Sequence, residues 1–296
     1  MALHARMADV GPSSWEDPSL AQIWLRWADY VVPRSAIGPF TLGAAPRDRR
    51  YRHALDEFAD LVLDTLAGER RSRREVAAAF PDRPEAVTLM RCLGVTGKVH
   101  IRWDASSSEV VPATPADIDP EDARVQLARR FVHWSGPATV LQFAKWAGVS
   151  ADDAKLTWAG MRDELAPVSV EGAGRWILGV HVPAIRAENP PPGSVRFLPG
   201  GGDPYLQLDR GTAVAEPPAD LGHRYLAAGG SRSVLNGLTG RLLLDGKVVG
   251  SWGRAAASLR IALWTSLPAA SVKRVLAEAL TMRGPLGAEP RITWVE

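Results

Sequence analysis

The chain has 296 residues, of which 46% are hydrophobic and 23% charged, and its formal net charge is +2 at pH 7. This length suffices for three or four domains of roughly 50–150 residues, and the balanced charge confines any strongly positive potential to local clusters. A single cysteine, Cys92, excludes an internal disulfide framework. No apolar run approaches the roughly 18 residues of a membrane span, so we expect a cytoplasmic protein without a membrane partner.

The first segment, residues 1–53, has the pattern of an incomplete helical module. Leu3 and Met7 end a helical run that has no cap and no amphipathic partner. Either the protein has lost the beginning of this module or Met1 is a late start. A late start would leave the apolar sides of Leu3, Met7, Ile23 and Trp24 exposed and would favour self-association.

Residues 54–118 have the pattern of three short helices followed by a hairpin. Apolar side chains recur at helical spacing through residues 54–66. Ser72 and Glu75 are spaced as a capping box for a second helix, and Pro84 suits the first residue of a third. Two β-rich runs then flank a serine-rich turn, which predicts the hairpin.

The same order recurs in residues 119–188. A helix predicted from Asp122 to Trp134 is followed by one that Thr139 can cap and by a third that begins at Ser150. Residues 168–178 then predict a hairpin around the turn Glu171-Gly172-Ala173-Gly174. Helix-turn-helix with a wing is a shape that docks on nucleic acid, so the sequence predicts tandem winged helices.

Beyond a stiff proline-rich linker at residues 189–193, the last domain, residues 194–296, changes from helical to strand patterns. The Asp245-Gly246 pair between two apolar runs is a strong hairpin signal. Further strands and one helix, residues 269–282, predict a small β-barrel or sheet covered by that helix. The predicted fold class is therefore α+β, with tandem winged-helix modules and a barrel-like C-terminal domain.

Positive charge gathers in the earlier helical module. Four arginines surround its second helix, and three further basic residues lie on its hairpin, so that the candidate phosphate contacts are Arg70, Arg71, Arg73, Arg74, Lys98, His100 and Arg102. The alternative is a solvated arginine cluster that maintains solubility. The third helix of the later module is net negative and would repel phosphates. Lys247, Arg254 and Arg260 near the C-terminal hairpin are secondary candidates.

Other chemistry finds little support. The six histidines are not spaced to pair with carboxylates or with each other on a helix, so we expect no metal. The sequence has no glycine-rich phosphate-binding loop, so we expect no cofactor. Cys92 lies beside apolar residues and is predicted to be a core thiol. Four tryptophans, Trp134, Trp146, Trp158 and Trp176, occupy core-facing positions, whereas Trp24 and Trp252 could stack on an extruded base.

Three separate segments resemble a known family. Residues 120–180, the phrase Leu198-Pro199 followed by Asp203-Pro204-Tyr205-Leu206, and the hairpin at residues 245–252 are similar to the winged-helix DNA-binding proteins that include the crosslink-unhooking glycosylases AlkZ and YcaQ. The similarity extends from about Trp24 to the C-terminus. It implies a concave DNA-binding surface, a double-stranded DNA partner that is alkylated or crosslinked, and excision of alkylated purines without a metal.

The sequence departs from that family at the catalytic residues. The family's glycosylases carry a Gln-apolar-Gln or Gln-apolar-Asp pair before a segment reading Arg-Gly-Thr-x-His. Here the corresponding segment, residues 26–30, retains only Arg26, which is added to the candidate DNA contacts, and Gln22 lacks the second member of the pair. Residues 207–209, Gln-Leu-Asp, spell the pattern but follow the Asp-Pro-Tyr-Leu phrase, so we interpret them as a chance match.

Three hypotheses follow. The leading one is a DNA-binding protein of this glycosylase-like family without a recognisable catalytic pair. The second is an active DNA glycosylase that excises alkylated or crosslinked purines through unfamiliar residues, with Asp29 and Tyr30 as the acid and phenol near Arg26. The third is a protein-interaction module, since winged helices are often used that way. Salt-dependent binding to duplex DNA would support the first hypothesis. A catalytic pair encoded in the upstream reading frame would support the second, and a large exposed apolar patch would support the third.

Overall fold

The structure is a computed structural model that describes residues 14–25, 28–103, 107–187, 194–199, 240–255, 257–283 and 288–295. These residues form two compact units. One spans residues 16–186, and the other contains the described residues from 187 to 295 together with residues 14–15. Apart from residues 14–15 and 187, the described parts of the first three predicted domains thus share one unit, and their internal boundaries remain predictions.

The first unit begins with an antiparallel hairpin of β1 (Leu20–Leu25) and β2 (Ala28–Pro33), followed by the short helix α1 (Ile37–Thr41). Ile23 and Trp24 on β1 are fully buried. The exposure of these two side chains that a late start would bring is not observed, because the hairpin inserts Trp24 into the core of the following helices. Leu3 and Met7 lie outside the described residues.

Helix α2 (Arg49–Leu66) is longer than the predicted run because Asp48 caps it, accepting hydrogen bonds from the backbone N–H groups of Arg50 and Tyr51. After a left-handed turn at Ala67 and Gly68, β3 (Arg71–Ser72) leads into α3 (Arg73–Ala78). The predicted third helix begins later, as α4 (Ala86–Leu89), and tightens into a 3₁₀ helix, Met90–Thr96. The hairpin β4 (Val99–Trp103) and β5 (Ser108–Pro112) completes a sheet of order β3-β5-β4.

These elements enclose one apolar core. Trp24 meets the inner face of α2, the 3₁₀ helix and the alternating inward residues of β4 and β5. Cys92 packs against the edge of this core, as predicted, and burial raises the pKa of its thiol. Strand alternation places Val99 and Ile101 inside, so the residues between and beyond them have more solvent exposure.

The second half of this unit follows the predicted order closely. Helices α5 (Pro120–Ser135), α6 (Val140–Ala147) and α7 (Ala151–Ala159) precede the hairpin β6 (Leu165–Val170) and β7 (Ala173–Leu178), and α8 (Val182–Ala187) ends the unit. Thr139 and Ser150 cap α6 and α7 as expected. The turn is tighter than predicted, because Glu171 and Gly172 alone occupy it with positive φ.

The second unit is built on a five-stranded sheet of order β12-β11-β10-β9-β8. Its strands are β8 (Val195–Leu198), β9 (Gly240–Leu244), β10 (Lys247–Ala255), β11 (Ser258–Leu263) and β12 (Arg291–Val295), and helix α9 (Ala269–Thr281) packs on it. Asp245 and Gly246 form the predicted turn. Among the described residues this sheet stays open, so they form a sheet with a covering helix rather than a closed barrel.

Candidate nucleic-acid interface

Four arginines surround the start of α3, and we name Arg70, Arg71, Arg73 and Arg74 the arginine cluster. A capping box fixes the backbone there, since Ser72 Oγ accepts from Glu75 N–H at 3.2 Å and Ser72 N–H donates to Glu75 Oε2 at 2.8 Å. These hydrogen bonds, with help from Arg71 and Arg74, lower the pKa of the Glu75 carboxyl. Pairing of Arg71 with Val110 on β5 joins the cluster to the hairpin.

The cluster retains most of its positive charge. Arg70 makes one long ion pair, 3.5 Å from Nε to Glu109 Oε2, and its side chain is 56% exposed. None of the ion pairs found among the described residues involves Arg71, Arg73 or Arg74. Three guanidinium groups are thus available to an anionic partner.

The three basic residues predicted on the hairpin are placed differently. Lys98 Nζ lies 2.7 Å from Asp60 Oδ1 and 3.6 Å from Asp56 Oδ1, so two carboxylates on α2 balance its charge. Arg102 Nη2 contacts Glu16 Oε1 at 2.8 Å. His100 is mostly buried, and desolvation, with the nearby Arg34 charge, lowers its pKa to about 4. His100 is therefore neutral at physiological pH and brings no charge to a phosphate.

The remaining candidate DNA contacts lie either in the second unit or outside the residues that the structure describes. Lys247 is exposed at the start of β10. Arg254 Nη1 instead donates to the carbonyl oxygens of Met282 and Arg283 at 2.7 and 3.2 Å, a contact that fixes the end of α9. Burial lowers the pKa of Arg254. Arg26 and residues 207–209 lie outside the described residues.

Tryptophan positions differ from the sequence interpretation. Trp24 is fully buried and Trp252 is 3% exposed, with its Nε1 donating to Leu198 O at 2.8 Å, so neither can stack on an extruded base in this structure. Conversely, helical spacing predicts a core position for Trp134, but this side chain is 54% exposed, with its ring centroid 6.0 Å from that of Phe40 in a stacked arrangement. It lies in the last turn of α5, where helical spacing alone does not distinguish the core face from the flank.

Asp29 and Tyr30, the acid and phenol considered for catalysis, lie on β2. Asp29 is exposed and pairs across the hairpin with Trp24. The residues that the structure describes include no group of three or more histidine, cysteine or acidic side chains that could hold a metal ion. No helix among the residues that the structure describes is long and apolar enough to cross a membrane.

The fold and the arginine cluster define an α+β protein with an exposed basic surface on a small helical module. A family model described as DNA glycosylase AlkZ-like matches residues 1–283. The chain therefore belongs to the AlkZ-like family of DNA glycosylases, which confirms the resemblance inferred from its motifs.

Two relatives show how far the likeness extends. The interstrand DNA cross-link repair glycosylase of Streptomyces sahachiroi is 34% identical over 139 residues, which are 45% of this chain and 35% of that protein. The aligned part thus spans about a third of the curated relative. The solved structure of the Streptomyces sahachiroi DNA glycosylase AlkZ superposes with a TM-score of 0.68 at 22% identity, covering 95% of this chain and 83% of that one. This second likeness concerns the fold.

Proposed function

We propose that this protein binds double-stranded DNA through the arginine cluster, as a member of the glycosylase-like family without a recognisable catalytic glutamine pair. The observation that carries the proposal is that Arg71, Arg73 and Arg74, at or just before the start of α3, make no ion pair within the part of the chain that the structure describes. Arginine presents several N–H donors in a planar fork that matches phosphate oxygens. Contacts of this kind release counterions from the duplex, and that release supplies most of the affinity of non-specific DNA binding.

The order of elements supports a winged-helix interpretation of this surface. Helix α2, strand β3, helix α3, helix α4 with its 3₁₀ extension, and the hairpin β4–β5 follow one another as helix, strand, two helices and wing. The later module repeats this order, with the bridge between Ala138 and Trp176 in the place of the short strand. In this interpretation the cluster lies at the junction of the second helix and the sheet.

Fluorescence anisotropy with a labelled duplex tests the proposal. The wild-type protein should bind with marked salt dependence, and replacing Arg70, Arg71, Arg73 and Arg74 with alanine should flatten the plot of log affinity against log salt by roughly 0.9 for each lost phosphate contact. A matched control replaces with alanine four exposed cations that make no ion pair among the described residues, Arg49, Arg50, Lys145 and Lys273. Equal slopes for the cluster variant and the wild type would contradict the proposal.

Family membership favours a second candidate function, excision of alkylated or crosslinked purines. The curated relative is named as an interstrand DNA cross-link repair glycosylase, which makes crosslinked DNA the substrate to try first. Single-turnover release of 7-methylguanine from a labelled duplex, and unhooking of a crosslinked duplex, measure this activity. Base release by the wild-type chain would establish the second candidate, whereas salt-dependent binding without release would support binding alone.

A further inference from the structure

A small cleft opens between helices α6 and α7 and the hairpin β6–β7. Its volume is about 160 Å³, and its lining is apolar and aromatic with two cations, namely Val140, Lys155, Trp158, Ala159, Arg162, Leu165 and Trp176. Cavities of about 150 Å³ are known to take a single aromatic ring. The cleft thus has room for one planar ring system.

Two indoles from different elements form its walls. Trp158 on α7 is 8% exposed and is backed by Phe143, whose ring centroid is 6.0 Å away. Trp176 on β7 is held in place because its backbone N–H and carbonyl both bond to Ala138, at 2.8 and 2.9 Å. The Trp158 Nε1–H is buried and finds no hydrogen-bond partner among the described residues, which is unusual for an indole. The walls are therefore fixed, and one of them has an unsatisfied donor.

Two cations add a second type of contact. The Arg162 guanidinium lies over the ring of Trp176, 5.9 Å from its centroid, and makes no ion pair among the described residues. A guanidinium stacked in this way still presents its N–H edge to an anion. Lys155 is exposed and contacts Asp152 at 2.9 Å.

The acidic residues of this region are mostly engaged elsewhere. Glu164 receives two hydrogen bonds from Arg129, at 2.6 and 2.7 Å, and Asp153 pairs with Arg47. Asp163 remains exposed beside the cleft. The net negative charge that the sequence predicts for α7 and the turn after it should therefore repel phosphates less strongly near Arg162. Lys155 contributes less positive charge there, because it is paired with Asp152.

We propose that this cleft binds one nucleotide, with the base against Trp158 and Trp176 and the phosphate held by Arg162 and Lys155. The inference rests on the proposed function and deepens it. The arginine cluster binds the phosphates of a DNA duplex, and the cleft binds a single unpaired nucleotide. Stacking on aromatic side chains is the usual way in which proteins hold unpaired bases.

Nuclear magnetic resonance of the indole N–H groups tests the proposal directly on the full chain. The indole resonance of Trp176 is assigned with the conservative variant Trp176→Phe, and that of Trp134 with Trp134→Phe. Titration with dAMP should shift the Trp176 resonance and leave that of Trp134, which does not line the cleft, unchanged. A Trp176 resonance that does not move at millimolar dAMP would overturn the proposal.

Surface variants then separate binding from folding. Arg162→Ala should raise the Kd for dAMP by up to about fivefold, as expected for losing an exposed ion pair of up to about 1 kcal/mol, but should change the Kd for deoxyadenosine less, because the nucleoside has no phosphate. Lys155→Ala should act in the same direction, whereas Lys145→Ala, an exposed lysine on α6 outside the lining, should have no effect. Equal affinities in all three variants would refute the assignment of the phosphate contact.

A final comparison identifies the source of the nucleotide. A ten-residue single strand of deoxyadenosine should shift Trp176 at lower concentration than dAMP if the cleft takes a nucleotide within DNA, and dAMP alone should act if it takes the free compound. Both results support the cleft as a nucleotide site. Failure of this site would leave the salt dependence of duplex binding by the arginine cluster intact, so the two proposals fail separately.

Discussion

At the scale of single residues, the burial of His100 makes the stability of the folded protein depend on pH. Its imidazole lies on β4 with Nε2 buried and without a partner among the described residues, and its pKa falls from 6.5 to about 4. In the unfolded chain the same ring takes up a proton near pH 6.5. Between these two pH values the unfolded state binds more protons than the folded state, so stability decreases as the pH falls through this window.

We predict that His100→Gln makes the protein less sensitive to acid in that window. Glutamine keeps a polar side chain of similar size but cannot be protonated, so the free energy of unfolding should fall less between pH 7 and pH 5 than in the wild type. Urea denaturation followed by circular dichroism at the two pH values gives this difference.

His53→Gln is the control for this measurement, since His53 lies on the exposed face of α2 with its side chain 75% exposed. Its replacement should leave the loss of stability on acidification close to that of the wild type. Identical pH dependence in the His100 variant and the wild type would show that the ring is accessible to protons in the folded state.

At the scale of secondary-structure elements, the capping box at Ser72 connects stability to the proposed interface. The hydrogen bonds between Ser72 and Glu75 set the direction of the first turn of α3, and this turn carries Arg73 and Arg74. Loss of the cap would release this turn without removing any positive charge. The effect of backbone order on DNA binding can therefore be measured apart from the effect of charge.

We predict that Ser72→Ala costs about 1 kcal/mol of stability, the usual cost of removing a serine cap. Duplex affinity should fall modestly, while the salt slope stays near that of the wild type because all four arginines remain. Chemical denaturation and anisotropy measure the two effects. Ser72→Thr, which keeps the capping hydroxyl, is the matched control. A salt slope in Ser72→Ala that is reduced as far as in the four-arginine variant would show that the cap and the charge cannot be separated.

Local signals explain which elements could be predicted from sequence. The caps at Ser72, Thr139 and Ser150 and the turn at Asp245 depend on residues within a few positions of each other, and all are found in the structure. The pairing of Lys98 with Asp60 spans 38 positions, and the cleft between Trp158 and Trp176 requires a helix and a strand to meet. Such contacts depend on packing, which neither spacing nor composition specifies.

At the scale of the whole molecule, the first hairpin is an integral part of the larger unit. Trp24 is fully buried in the core formed with α2, and a Cβ added at Gly94 would lie 1.9 Å from the Trp24 carbonyl oxygen. The backbones of β1 and the 3₁₀ helix thus approach as closely as a glycine permits. This contact explains how β1 contributes to the core.

We predict that Gly94→Ala destabilises the 16–186 unit by at least about 2 kcal/mol, since the added methyl group overlaps backbone atoms that cannot move independently. Gly68→Ala is the comparison, because Gly68 has φ of +84° with no atom within 4 Å of an added Cβ. Only the cost of a left-handed backbone, about 1 kcal/mol, should appear there. Thermal denaturation ranks the two variants, and an equal or smaller loss for Gly94→Ala would mean that β1 can move away from the 3₁₀ helix.

The pairing of β12 with β11 has a consequence for the order in which the second unit is assembled. These strands are parallel, and helix α9 lies between them in the sequence. In this sheet β12 is held by β11 at its edge, so a chain in which β12 has not yet paired exposes the edge of β11. An uncovered strand edge invites pairing with another chain, so Ile292→Pro, which removes a backbone donor from β12, should lower the yield of soluble protein, measured as the fraction of the chain in the supernatant after expression.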